Sequence, residues 1–149
     1  MEIIKIKKSD KNDLFELTYE ENEILQKYVT HDIYKIVFSR QLFESLFSTY
    51  FGKNKFLYGI KIDGRFVAFL FGYIKYAPRE KVGYIENLYV LKKFAKRNYD
   101  VVLRNAFYKW LKERKIKYCQ IDVLQNNPSK NKYQKWGFSA DEIRMSKKL

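Results

Sequence analysis

Glu86 is the only charged residue in the run Tyr84-Ile85-Glu86-Asn87-Leu88-Tyr89-Val90. A carboxylate set in an apolar strand could hold or remove a proton. An ordinary glutamate, near pKa ~4.3, is a weak base, and burial between apolar strands is what would raise it toward neutral pH. The plainer reading is a solvent-facing or ion-paired glutamate. Further on, Ala95-Lys96-Arg97-Asn98-Tyr99-Asp100 leads into a helix, and helix N-terminal amides suit an anion. That loop has no glycine. Asn98 is the residue in it that best accepts left-handed dihedrals. Asp100 falls in the first helical turn, where the helix dipole stabilises it while it repels any bound anion. Lys93, Lys96 and Arg97 supply nearby cations to offset that repulsion. The single cysteine, Cys119, lies among Tyr118, Ile121 and Val123 with no histidine nearby in sequence, so an inert buried thiol is expected. His31 reads as a surface or helix-end residue, and no array at metal-ligand spacing is present.

Regular elements must position these groups. Residues 2 to 7 alternate isoleucine with charge as a strand does, and Ser9 or Asp10 offers an N-cap for a helix carrying Leu14, Phe15 and Leu17. Between about 31 and 51, Tyr34, Val37, Phe38, Leu42, Leu46 and Tyr50 recur near helical spacing, widened by Phe43, Phe47 and Phe51, which predicts one or two helices. Asp63-Gly64 between two apolar runs is a hairpin signal. The second run, Phe66-Val67-Ala68-Phe69-Leu70, is apolar on both faces, as in a central strand covered on each side. Pro78 precedes a strand at 82 to 90. Leu103, Ala106, Phe107, Trp110 and Leu111 form a helical stripe over Tyr99 to Lys115. A strand at 117 to 124 follows, then a helix with Pro128 in its first turn and Gly137 at its end, and a final strand from Phe138. The predicted class is an α/β layer, with a mixed, mostly antiparallel sheet flanked by helices on both faces.

At 149 residues, the chain is expected to form a single domain, residues 1 to 149. Hydrophobic residues make up 46% and aromatics 18%, too many for a disordered chain. No apolar run is long enough to span a bilayer and the start lacks a signal-peptide pattern, so no membrane partner and a cytoplasmic location are expected. The formal charge of +13 favours phosphates, nucleic acid or acidic protein surfaces. Lysine is spread almost evenly, however, and only the cluster at Lys92 to Arg97 adjoins a candidate site.

The element order, with Ile85-Glu86-Asn87-Leu88-Tyr89-Val90 ahead of the long helix and Asn126 through Phe138 after the next strand, resembles the Gcn5-related N-acetyltransferase (GNAT) family. The likeness spans nearly the whole chain. Its specific part is the spacing of Asn126, Ser129, Tyr133, Gly137 and Phe138, similar to the family's Asn, small residue, Tyr and Gly-Phe pattern. The resemblance implies that the backbone of Leu88, Tyr89 and Val90 holds the pantetheine arm of acetyl-CoA like an added strand. It implies that Lys96, Arg97, Asn98, Tyr99, Asp100 and Val101 meet the pyrophosphate. There the family reads Arg/Gln-x-x-Gly-x-Gly/Ala, whereas here Ala95 takes the first place and Asn98 and Asp100 the two small-residue places. Asn126 would bond the cofactor's amide or cap the helix. Glu86 matches a carboxylate that removes a proton from the acceptor ammonium, often through water. Tyr133 matches a tyrosine that protonates the departing thiolate; its alternative is a core tyrosine. Phe43, Phe47, Tyr50 and Phe51 lie where the family builds its acceptor pocket, although core packing accounts for most of that stripe.

The expected activity is therefore acetyl transfer from acetyl-CoA to a primary amine, by direct attack in a ternary complex, with strand amides near Leu88 to Val90 polarising the thioester. The acceptor is a small molecule or a protein amine. The net charge disfavours a polycationic acceptor and favours an acidic or phosphate-bearing one, unless local acidic patches override it. The alternative is a non-catalytic protein of the same fold that binds nucleic acid or an acidic protein through Lys96, Arg97 and nearby aromatics. A monomer or a homodimer is compatible with an edge strand near 138 to 148.

Overall fold

The Asp63-Gly64 hairpin sits inside a five-stranded sheet. In the computed structural model, which describes residues 1–149, β2 (Lys55–Ile62) and β3 (Arg65–Tyr76) pair antiparallel across that turn. Asp63 and Gly64 have φ of 50° and 78°, the positive values that match a tight turn to strand twist. β1 (Ile3–Lys5) pairs with β2, and β4 (Lys81–Val90) with β3, both antiparallel. β5 (Cys119–Ile121) closes the order β1-β2-β3-β4-β5, parallel to β4. The mixed, mostly antiparallel sheet expected from the hairpin and the long crossover helix is the one observed.

Helices cover both faces. α1 (Lys11–Leu25) and α2 (Arg40–Leu46) precede the hairpin, α3 (Tyr99–Glu113) crosses from β4 to β5, and α4 (Ser129–Lys135) follows β5. On one face Leu103, Phe107 and Leu111 of α3 pack on Phe56, Ile60, Leu70 and Ile85. On the other, Leu14 and Leu17 of α1 with Phe43 of α2 pack on Leu57, Phe69 and Phe71. Each such side chain, fully buried, is worth roughly 1.5–3 kcal/mol. β3 feeds both cores, which is why its sequence is apolar without alternation. At Gly72 a Cβ would stand 2.7 Å from Phe107 and 3.0 Å from the Tyr84 carbonyl; only glycine lets α3 seat there.

Two bulges set which side chains face which core. Between the pairs Ile60↔Ala68 and Lys61↔Phe66, Val67 is extra, so Phe66 turns to the α1 face while Val67 and Ala68 turn to α3. Between Phe71↔Asn87 and Gly72↔Ile85, Glu86 is the extra residue. Ile85 packs toward α3, whereas Asn87 and Tyr89 reach α1. A bulge puts neighbouring side chains on one face and re-aims those beyond it. Without it, Asn87 would point into the α3 core.

Three segments differ from the sequence reading. Of residues 31 to 51, only Arg40–Leu46 is α-helical, capped by the Ser39 hydroxyl accepting the Leu42 N–H at 3.1 Å, with 3-10 turns at Asp32–Tyr34 and Phe47–Tyr50. Ile36 and Val37 are exposed, so nothing rewards winding this β-branched stretch into a helix. The strand expected at 117 to 124 shortens to Cys119–Ile121, because the β4 bulge follows Ile85, the last residue paired with it. No strand forms after Phe138. That charged tail has no apolar face to bury, with Ile143 and Met145 largely exposed, and it is tied back by a 2.9 Å hydrogen bond between the Ser146 and Tyr34 hydroxyls.

Candidate active site

The parting of β4 from β5 creates the site. Pairing stops at Ile85↔Ile121 while β4 runs on to Val90, so residues 86 to 90 keep one edge without a strand partner. An extended chain can add to such an edge through backbone hydrogen bonds. Leu88 and Val90 anchor this segment in the α3 core. Tyr89 points the other way, its hydroxyl donating to Glu20 of α1 at 2.6 Å. The same Glu20 oxygen accepts the Lys92 N–H at 3.1 Å. β4 is thereby clamped to α1 where it enters the loop.

The loop is a 3-10 turn over Lys92–Arg97, followed by Asn98 with φ 56° and ψ 27° at the N-cap of α3. Asn98 thus takes the left-handed conformation that a glycine would adopt freely. Lys93, Lys96 and Arg97 are exposed and join no ion pair, leaving three cations free beside a helix N-terminus. Tyr99 is a core residue, 4% exposed and 6.4 Å from the Phe94 ring, so only its backbone faces the loop's function. Asp100 has found partners that its sequence neighbours do not supply. Its carboxylate accepts the Val101 N–H at 2.9 Å and the Lys132 ammonium of α4 at 3.0 Å. The repulsion expected of it toward an anion is offset by a lysine thirty-two positions away.

α4 presents Tyr133 half-buried, its ring 5.6 Å from Trp136 and 6.3 Å from Phe138. Gly137, with φ 95°, ends the helix as expected. Burial, and then the charge of Glu21, push the Tyr133 phenol up to about 12, so it stays a donor across the physiological range. Asn126 stands exposed and does not cap α4, whose N-cap is Pro128; the buried Asn127 instead forms the turn leading into it, its Oδ1 accepting the Ser129 N–H at 2.9 Å. Cys119 is half-buried and burial pushes its thiol up to about 12, which leaves it un-ionised and unreactive.

Glu86 does not have the burial that a strong base needs. Its side chain is exposed at the bulge and accepts a hydrogen bond from the Tyr73 hydroxyl at 3.2 Å. The buried carboxylate on this face is Glu21 of α1, a residue that the sequence reading passed over. It is 7% exposed, its Oε1 accepts the Asn87 amide at 2.9 Å, and its Oε2 has no partner at all. Burial raises its carboxyl to about 7, against the lowering hydrogen bond from Asn87 and helped by the nearby charge of Glu86. The signal was present in the helix periodicity. Leu14, Leu17, Thr18 and Glu21 form one buried stripe, and a carboxylate at such a position is rare without a purpose. Tyr50 packs 4.7 Å from Phe71, and Phe71 lies 5.7 Å from Tyr73, giving an aromatic wall along the same face.

A proton acceptor near neutrality, a protonated phenol, an unpaired strand edge and a cation-rimmed helix N-terminus are thus gathered where β4 leaves β5. No helix is long and apolar enough to cross a membrane. No curated protein matches the chain. Among solved structures, an aminoglycoside antibiotic 6'-N-acetyltransferase from Acinetobacter haemolyticus aligns over 100% of this chain and 99% of its own, with TM-score 0.73 at 20% identity. Glucosamine-6-phosphate N-acetyltransferase from Arabidopsis thaliana aligns over 99% and 97%, with TM-score 0.68 at 21% identity. AAC(6')-Iy in complex with the bisubstrate analog CoA-S-monomethyl-acetylneamine aligns over 99% and 97%, with TM-score 0.75 at 17% identity. At these identities the likeness is one of fold. The acetyltransferase (GNAT) family model matches residues 14–138, and the chain belongs to that family.

Proposed function

We propose that the protein transfers an acetyl group from acetyl-CoA to a primary amine. The observation that carries this reading is the β4 edge at residues 86 to 90, freed where β5 ends and leading directly to the N-terminus of α3. The pantetheine arm would lie along Leu88, Tyr89 and Val90. The diphosphate would meet the α3 amides together with Lys93, Lys96 and Arg97, whose side-chain charge substitutes for the glycines that the loop lacks. The fit of the loop is supported by the left-handed Asn98 and by the Lys132 that neutralises Asp100.

Tyr133 supports the departure of the thiolate in a way that differs from simple proton donation. A phenol held at about 12 is far weaker as an acid than an alkanethiol near ~8.5, so complete transfer to the thiolate is uphill. Its role is to donate a hydrogen bond as negative charge develops on sulfur. Glu86, exposed at the rim, draws the acceptor's ammonium toward the side of the face lined by Tyr50, since the Phe71 and Tyr73 rings already carry the Lys55 ammonium. Carboxylates on this face override the overall basic charge, which favours a cationic acceptor over an acidic one.

A second reading rests on the exposed, unpaired cations of the loop: they suit a nucleic-acid or acidic protein partner. Titration calorimetry with acetyl-CoA on the native protein and on Asp100→Gly separates the two. Binding by the native protein, tightened in Asp100→Gly and only mildly weakened by salt, is the expected result. No detectable binding by either protein would overturn the acetyltransferase reading, and steeply salt-dependent binding of an oligonucleotide would favour the alternative.

A further inference from the structure

We propose that Glu21, delivered by α1, is the group that takes the proton from the acceptor's ammonium, and that the acceptor is a primary alkylammonium held between Glu21 and Glu86. The inference deepens the acetyltransferase reading and rests on it. Its geometry is specific. Glu21 is 7% exposed, with one oxygen fixed by Asn87 at 2.9 Å and the other left without any hydrogen bond. Buried carboxylate oxygens are nearly always satisfied, because an orphaned one costs kilocalories. An ammonium donates to two carboxylates at once and would satisfy it.

The groups that act on Glu21 are acids, an amide and phenols; the Lys55 ammonium of β2 lies further along this face, over the Tyr73 and Phe71 rings at 4.7 and 5.6 Å. Toward Glu21 face Glu86, Asn87 and Tyr89 of β4, Tyr50 from the turn after α2, and Tyr133 of α4; Glu20 flanks it on its own helix. Glu21 takes part in none of the ion pairs. The positive partner is therefore missing from the protein itself, which is what a cationic substrate requires. The bulge at Glu86 makes the arrangement possible, since it turns Asn87 toward α1 and leaves Glu86 at the solvent side of the same face. A carboxyl titrating at about 7 is matched to proton removal at neutral pH.

The reaction balances with these groups. Glu21 Oε2 takes one ammonium proton, and the freed lone pair forms the C–N bond to the thioester carbonyl carbon. The C–S bond breaks with its electron pair on sulfur, where Tyr133 donates a hydrogen bond. The second ammonium proton goes to the thiolate, giving amide and free thiol, and Glu21 returns its proton to water.

The test uses the full chain and Glu21→Gln, which keeps the shape and the Asn87 contact. Acetyl-CoA binding is measured by calorimetry. Acetylation of propylamine, phenethylamine and glucosamine is followed from pH 5.5 to 9.5. The expected result is equal acetyl-CoA affinity in both proteins, with kcat/KM in Glu21→Gln lower by about 100- to 1,000-fold. The native limb near pH 7 should also vanish, so that the residual rate tracks only the amine's own ionisation. Equal cofactor binding with an unchanged rate and pH profile would overturn the role of Glu21 and leave the acetyltransferase reading standing. Absent acetyl-CoA binding, or binding without turnover of any of the three amines, would overturn both.

Discussion

Two carboxylates act on Tyr133 from different elements, Glu21 on α1 and Asp100 on α3, and the fold treats them in opposite ways. Asp100 stands at a helix N-terminus with its oxygens bonded to the Val101 amide and the Lys132 ammonium. Glu21 is deeper, holds one neutral amide, and keeps a bare oxygen. Chemistry resides with the carboxylate whose charge the fold leaves uncompensated. Asp100 is the more conspicuous in sequence, because it sits where a small residue is expected, yet its charge is compensated. Glu21 is inconspicuous in sequence, yet its uncompensated burial stores the reactivity.

The largest expected effect that would sharpen this contrast concerns stability. Glu21 has an ordinary value of 4.5 and a folded value of about 7, so the folded state holds its proton more tightly than the unfolded chain does. Its contribution is fully present below about pH 4.5 and is lost as pH rises toward 7, a loss of about 3 kcal/mol. Glu21→Gln should remove that loss. Chemical denaturation at pH 8 should find the variant more stable than the native protein, with the two converging near pH 4. A variant less stable at pH 8 would break the picture of an uncompensated charge.

Tyr133→Phe comes next. It keeps the ring against Trp136 and Phe138 but removes the donor, so kcat should fall about 50-fold while acetyl-CoA affinity changes little. Lys132→Met tests the compensated carboxylate. It strips Asp100 of its cation and should weaken acetyl-CoA binding about tenfold, and Asp100→Asn in the same chain should restore it. Additive losses in that double variant would refute the coupling. The smallest effect is expected of Glu86→Gln, about threefold in the amine's KM with the pH profile intact. A loss there larger than in Glu21→Gln would exchange the roles of the two glutamates.

Much of the frame was legible in the sequence because it rests on local rules. Asp63-Gly64 marked the central hairpin, the stripe from Leu103 to Leu111 marked α3, and Asn98 marked a left-handed position. Gly137 marked a helix end. The tail after Phe138 was not legible, since a strand needs a partner edge and a face to bury. The candidate site was half legible. Its strand, its tyrosine and its basic loop followed from spacing, whereas Asn127 and not Asn126 bonds the first amide of α4, because only the folded loop determines which amide oxygen reaches Ser129.

Near neighbours along the chain were enough to specify the succession of elements from β2 to α4, the mixed sheet, and the family pattern from Asn126 to Phe138. The electrostatic state of the acids was set by packing between distant segments. Lys132 reaches Asp100 across thirty-two residues and Asn87 reaches Glu21 across sixty-six, so neither pairing has a sequence spacing to read. The bulge at Glu86 turns Asn87 to α1, exposes one glutamate and gives the other its only hydrogen bond. Desolvation depends on what surrounds a group in three dimensions, and for that reason the reactive carboxylate emerged only once α1 was packed against β4.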